Sequence, residues 1–282
     1  MLGRLAQSAN VRLAAHEALR DALGGFDRDR ALLVICHFDA DGLSAAALLV
    51  RALQRTGWAA VPLIAEKGET PWDPEFAIRA AAHHPGGMIL CDLGTRPEPI
   101  VLGCPTVVID HHVPTGEPRD AITLSGNGLS PEPTTSLLAW WAAGALGDQS
   151  DLLWLAAIGL IGDMAEDRGF QELKTAQGRW GKTALRDAVA LINAPRRTAS
   201  ADAGPALRLL LRASGPKEII KGDDADAVAL RTAKAEVRAA LDEAKRSPPA
   251  IIGDVALIQL DTACQVHPLI AQQWRTRLGT KS

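Results

Sequence analysis

Three short apolar runs, each delivering acidic or imidazole side chains at its end, constrain this chain more than any other feature. Ala31 to Cys36 leads into His37-Phe-Asp39-Ala-Asp41-Gly42, Gly87 to Cys91 into Asp92-Leu-Gly94, and Thr106 to Ile109 into Asp110-His111-His112. Unbroken apolar runs of this length read as strands buried on both faces, the habit of parallel sheets covered by helices. Between them lie an Ala/Leu-rich helical stretch from Leu43 to Leu53, a strand candidate from Val61 to Ala65 and a helical stretch from Glu75 to His84. This alternation predicts an α/β fold with a doubly wound, mainly parallel sheet. Ligands of such sheets sit at the carboxyl ends of the strands, which is where the polar clusters fall.

Ahead of the sheet, residues 8–23 have loosely helical spacing, ended by Gly24-Gly25. From Thr134 the pattern turns helical over 134–146, 150–162, 170–193, 201–213 and 223–246. Ser247-Pro-Pro249 breaks it, before a strand candidate at Val255–Leu260 and a helix from Pro268 to Leu278. Two parts are therefore expected. Residues 1–246 hold the sheet and its helical extension, and 250–282 form a short, incomplete α/β part too small to bury both of its faces alone.

The 47% hydrophobic and 22% charged composition excludes a disordered chain. No uninterrupted apolar stretch reaches the ~18 residues of a membrane span, and Arg4, Arg12, Glu17 and Asp21 interrupt any secretory pattern. A cytoplasmic protein with no membrane partner is expected. The four cysteines lack CxxC spacing, so neither a zinc site nor a disulfide framework is indicated. Net charge is −3, divided as −7 over residues 1–160 and +4 beyond them. That division suits a metal-binding part beside one that tolerates phosphates, although surface variation alone explains it equally well.

A fourth cluster, Gly162-Asp163 with Glu166 and Asp167, closes an apolar helix. Each cluster alone is weak, because an Asp after a strand is often a turn or helix cap. Together they bring Asp and His groups to one sheet edge, and residues 37, 39 and 41 share a side of an extended segment. So many carboxylates crowded without cations would suffer raised pKa values and destabilise the fold. Oxygen and imidazole donors without thiolate favour manganese over structural zinc. Five or more ligand candidates exceed the needs of one ion, whereas a pair sharing a carboxylate would use them, and such pairs activate water for attack on phosphorus.

His37-x-Asp39-x-Asp41-Gly42, Asp92-x-Gly94, Asp110-His111-His112 and Gly162-Asp163 resemble, in order, the four signature motifs of the DHH phosphoesterases. That superfamily holds RecJ-type single-strand exonucleases, oligoribonucleases, cyclic-dinucleotide phosphodiesterases and a manganese pyrophosphatase. The resemblance implies an α/β catalytic domain, two manganese ions (magnesium being an alternative) and hydrolysis by a metal-activated water. It implies that His37 and Asp39 hold the first ion, that Asp92 bridges, and that Asp41, His111 and Asp163 hold the second. It further implies that Asp110 and His112 orient ligands or pass a proton to the leaving oxygen. The close His37-x-Asp39 spacing looks like the nuclease members, so single-stranded nucleic acid or short oligonucleotides are the expected substrates. A small-molecule phosphatase, pyrophosphatase or polyphosphatase stays open, as does a catalytically impaired nucleotide-binding protein. Residues 250–282 resemble the start of the family's associated substrate-binding domain, without its glycine-rich basic segment.

Weaker signals complete the reading. Arg96 and His267 are candidate substrate contacts. Thr134-Thr135-Ser136 starts a helix, either as a plain cap or as a phosphate donor. Trp140, Trp141 and Trp154 read as core, with stacking of one on a base as the alternative. Arg196-Arg197 and Lys217/Lys221 read as ordinary solubilising charge, with tracking of a nucleic-acid backbone as the alternative.

Overall fold

The computed structural model describes residues 2–116, 118 and 121–279. A long helix, α1 (Leu2–Gly24), precedes β1 (Leu32–His37), α2 (Ala40–Arg55), β2 (Ala60–Ala65), α3 (Pro74–Ala81), β3 (Gly87–Cys91), β4 (Thr106–Asp110) and β5 (Ala121–Ser125). A helical run follows: α4 (Thr135–Ala143), α5 (Leu153–Gly162), α6 (Gln171–Trp180), α7 (Lys182–Ile192), α8 (Gly204–Arg212), α9 (Pro216–Lys221) and α10 (Ala225–Ala244). After it come β6 (Ala250–Ile252), β7 (Val255–Leu257) and α11 (His267–Leu278).

β1 to β5 form one all-parallel sheet in the order β2-β1-β3-β4-β5, as the buried apolar runs predict. The chain leaves β1 toward β2 and returns on the other side of β1 as β3. At that reversal the connections diverge and open a crevice at the carboxyl ends of β1 and β3. Residues 37–41 follow one of these strands and Asp92 the other, so topology alone brings the first two clusters together.

The two faces of the sheet are covered unequally. On one face, Val34, Cys36, Ile89, Cys91, Val107 and Ile109 join a large core with α2, α4 and α5. The helix α2 is buried from Ala40 to Val50, which explains its nearly unbroken Ala/Leu composition. On the other face, Leu33, Ile35, Met88, Leu90 and Val108 meet only Phe76 and Ala80 of α3 and a few loop side chains. The β3–β4 and β4–β5 connections contribute no helix among the described residues.

Three expectations shift in detail. The edge strand β5 is not visible as an apolar run, because Ala121-Ile-Thr-Leu-Ser125 is only partly covered and alternates weakly. The expected 170–193 helix is two helices, split where Gly181 takes a φ of 89° that favours glycine. The strand expected at Val255–Leu260 is shorter, Val255–Leu257, and pairs back on β6 as an antiparallel hairpin. A small core of Ala244, Cys264, Val266 and Ile270 then packs the tail on the end of α10. The Gln265 N–H donates to the Arg197 carbonyl at 2.8 Å, tying the tail to the turn after α7. Among the described residues no helix is long and apolar enough to cross a membrane.

Candidate metal centre

The loop leaving β1 is shaped by its glycine. A Cβ on Gly42 would lie 2.6 Å from the His37 carbonyl oxygen, so the first turn of α2 folds back on His37 only with glycine there. Asp39 caps α2, accepting the Gly42 N–H at 3.1 Å. Its other oxygen lies 3.1 Å from His37 Nδ1 and accepts a hydrogen bond from Arg196 at 2.8 Å. The Ala40 N–H, between the two aspartates, donates to Asn193 Oδ1 at 3.0 Å.

Asp41 is completely buried and closes a different helix. Its carboxylate accepts the N–H groups of Thr135 at 2.7 Å and Ser136 at 3.0 Å, satisfying the orphan donors at the start of α4. These amides are therefore engaged by Asp41 and not free for a phosphate, which corrects that reading of Thr134–Ser136. Gly159 of α5 permits the approach, because a Cβ there would fall 2.1 Å from Asp41 Oδ1 and 2.0 Å from Ser136 Oγ. Asp92, at the end of β3, takes a φ of 68°, an uncommon left-handed conformation of the kind that clusters at functional sites. The Thr135 hydroxyl donates to it at 2.9 Å.

The third and fourth segments close the ring. His111 Nε2 lies 3.1 Å from Asp163, 3.5 Å from Asp92 and 3.9 Å from Asp41, and its Nδ1 faces Glu132 at 3.3 Å. Asp110 accepts the Gly94 N–H at 2.8 Å and the His112 N–H at 2.7 Å. It also holds His112 Nδ1 at 3.2 Å, leaving that ring half-exposed, with Nδ1 3.8 Å from Asp92. All six residues expected as ligands are thus gathered. His37, Asp39 and Asp92 form one compact trio and Asp41, His111 and Asp163 another, with ligand atoms within 4.8 Å of each other in each trio. Asp92 reaches both, because it also groups with His111 and His112.

Burial pushes the Asp41 carboxyl well above the ordinary carboxylate range, and the neighbouring Asp92 and Asp163 add to the shift. Burial likewise lifts Asp92, to about 6. For His111 burial opposes the charged form, yet the facing carboxylates of Asp163 and Asp92 prevail and hold the imidazole at about 11. Hydrogen bonding to Asp110 raises His112 to about 9. Asp39 goes the other way: burial is outweighed by His37 and Arg196, which hold its carboxyl below the usual range. These opposed shifts mark a cluster that lacks positive charge.

The donor set fits divalent cations. Despite the close carboxylates, His111 Nε2 is a buried nitrogen with no hydrogen-bond partner of acceptable geometry, aimed at Asp41, Asp92 and Asp163. Four carboxylates and two imidazoles, without thiolate, suit a hard to borderline ion. Of the two expected substrate contacts, the exposed Arg96 stacks its guanidinium 4.9 Å above Trp72, and His267 lies exposed at the start of α11. Reasoning from motifs missed Asn193 and Glu132 and read Arg196 first as ordinary charge; all three reach the centre from segments with no local signature.

No protein-family model matches the sequence, and no curated protein matches it at a significant level. Solved structures do match its fold. An exonuclease RecJ bound to manganese superposes with a TM-score of 0.66 at 22% identity, over 82% of this chain and 68% of that one. RecJ from Thermus thermophilus in complex with Mn2+ gives 0.65 at 22%, over 82% of this chain but only 39% of that one. A DHH domain from a member of a family of ribosomal proteins gives 0.62 at 16%, over 97% and 74%. The architecture is therefore that of RecJ and DHH domains.

Proposed function

We propose that the chain is a DHH-type metal-dependent phosphoesterase that holds two manganese ions and hydrolyses phosphodiester bonds of single-stranded nucleic acid or short oligonucleotides. The observation that carries this reading is the pair of ligand trios at the switch point of the sheet, reached in common by Asp92. RecJ, whose fold the chain shares, has been seen with Mn2+ and with Mg2+. In this reading His37, Asp39 and Asp92 hold one cation, and Asp41, His111 and Asp163, with Asp92, hold the other. Cations bound there supply Lewis-acid charge and lower the pKa of a coordinated water.

The chain's own groups do the rest. Backbone donors at the start of α4 fix the Asp41 carboxylate, and Thr135 fixes Asp92, so the ligands are aimed before a cation arrives. Asp110 orients His112, whose half-exposed ring stands at the mouth of the centre and can give a proton to the leaving oxygen. Residues 1–246 serve as the catalytic part in this reading, and 250–282 as part of a substrate-binding region.

The test uses the purified chain with added Mn2+ and three substrates: single-stranded DNA, a dinucleotide and pyrophosphate. Elemental analysis should find two manganese per chain, and the first two substrates should be cleaved. Cleavage of pyrophosphate alone would move the assignment to a small-molecule phosphatase. Tight nucleotide binding without turnover of any substrate would make the chain a binding protein.

A further inference from the structure

Outside the four motif segments, one permanently charged cation touches the acidic centre. Among the described residues, Arg196 is the single Arg or Lys paired with any of Asp39, Asp41, Asp92, Asp110 and Asp163; the other partners are histidines. Arg196 sits in a one-turn helix, Pro195–Arg197, between α7 and α8. Its side chain keeps 30% of its surface exposed. One nitrogen, Nη1, donates to Asp39, and the rest of the fork has no partner among the described residues.

The turn that carries it is braced on both sides. Asn193, three residues earlier, accepts the Ala40 N–H. The Thr198 hydroxyl donates to the Pro195 carbonyl, and Gln265 of the tail donates to the Arg197 carbonyl. Arg196 is thereby held against the loop that carries His37, Asp39 and Asp41. A guanidinium held this way forfeits less conformational freedom on meeting a ligand than one on a free surface.

Charge counting shows what that ligand must be. Of the five aspartates, Asp110 is paired with His112, and Asp39, Asp41, Asp92 and Asp163 carry four negative charges, which two divalent cations cancel. Arg196 then leaves an uncompensated positive charge beside the trio of His37, Asp39 and Asp92. An incoming phosphodiester brings one negative charge and oxygens spaced for a guanidinium fork. A neutral ester brings neither. We propose that Arg196 is a substrate contact, its guanidinium gripping a non-bridging phosphate oxygen next to the cation held by His37, Asp39 and Asp92. This rests on the two-cation phosphoesterase reading above, and it adds a residue that none of the four motifs contains.

The experiment compares the full chain with Arg196→Ala and Arg196→Lys, all loaded with Mn2+. Steady-state hydrolysis of a short single-stranded oligonucleotide is measured beside calorimetric titrations with Mn2+ and with inorganic phosphate. Arg196→Ala should raise KM and weaken phosphate binding by about 10-fold or more, the scale of a charge-assisted hydrogen bond, while Arg196→Lys recovers part of the loss. Both Mn2+ affinities should stay within about threefold of the parent, well short of the ~10–100-fold loss seen when a group orienting a ligand is removed. Unchanged KM and phosphate binding in Arg196→Ala would overturn the proposal. So would a loss of Mn2+ affinity that accounts for the whole defect, because Arg196 would then only orient Asp39. If the parent chain cleaves no phosphoester, the functional reading fails by itself, and the phosphate titration still decides the role of Arg196.

Discussion

β3 and β4 border two very different places. At their carboxyl ends lies the acidic centre, where Asp92, Asp110 and His111 are buried among hydrogen-bonded partners. On the thinly covered face of the same strands, Leu90, Val108, Ile100 and Trp72 line an apolar groove of about 490 Å³. The apolar groove and the acidic chemistry therefore lie at different places. The groove exists because the connections on either side of β4 supply no helix, among the described residues, to cover Leu90 and Val108. The centre exists because a parallel sheet aims its strand ends at one edge, where polar groups can converge around charge. The groove is a concave apolar surface, whereas convergent titratable groups with opposed shifts mark the rim.

The sharpest way to break this contrast is to remove the carboxylate that both trios reach. Asp92→Asn should reduce Mn2+-dependent phosphodiester cleavage about a thousandfold, ~4 kcal/mol of transition-state stabilisation, and a loss under tenfold would remove the rim from the mechanism. Next in size is the covered face. Leu48→Ala, in the middle of α2, should cost about 2–5 kcal/mol of unfolding free energy in a urea melt.

The charge balance of the rim predicts a pH effect in the metal-free chain. Asp41 and Asp92 have folded-state pKa values above their unfolded ones, so their stabilisation is full at low pH. It is lost as pH rises, for Asp92 through about 6. His111, raised from its ordinary 6.5 to about 11, contributes fully below 6.5 and loses that contribution progressively as pH rises toward about 11, so it adds to the loss at pH 8. The metal-free chain should therefore melt lower at pH 8 than at pH 5, with Mn2+ raising Tm more at pH 8. At a hundredfold excess over Kd the gain should be about 2.7 kcal/mol, and equal shifts at the two pH values would count against cation binding at the rim. Smallest of all is the groove itself. Leu102→Ser, at a side chain 91% exposed, should change stability by at most about 0.5 kcal/mol and leave cleavage untouched.

Much of this was legible before any coordinates. The runs 31–36, 87–91 and 106–109 each became a strand of the parallel sheet, since unbroken apolar side chains suit only an element covered on both sides. β5 escaped because an edge strand shares little of that burial. The split at Gly181 escaped because a single glycine inside a helical pattern does not declare its φ. Within the centre, the six residues that gather were singled out by spacing and resemblance, whereas the groups that hold them were not. Asn193 and Arg196 stand in an ordinary-looking Asn-Ala-Pro-Arg-Arg turn, and nothing near them in the chain says that α7 ends against the loop after β1.

Residue pattern alone determined the parallel sheet and the side chains that leave its strand ends, because strand burial and its period are local properties of the chain. Tertiary structure decided what those side chains meet. Asp41 closes a helix that begins 94 residues later, and Asp39 takes its arginine from 157 residues away. Contacts of that reach depend on how α4, α5 and α7 pack around α2, a matter of shape complementarity between whole elements that no short stretch of sequence carries.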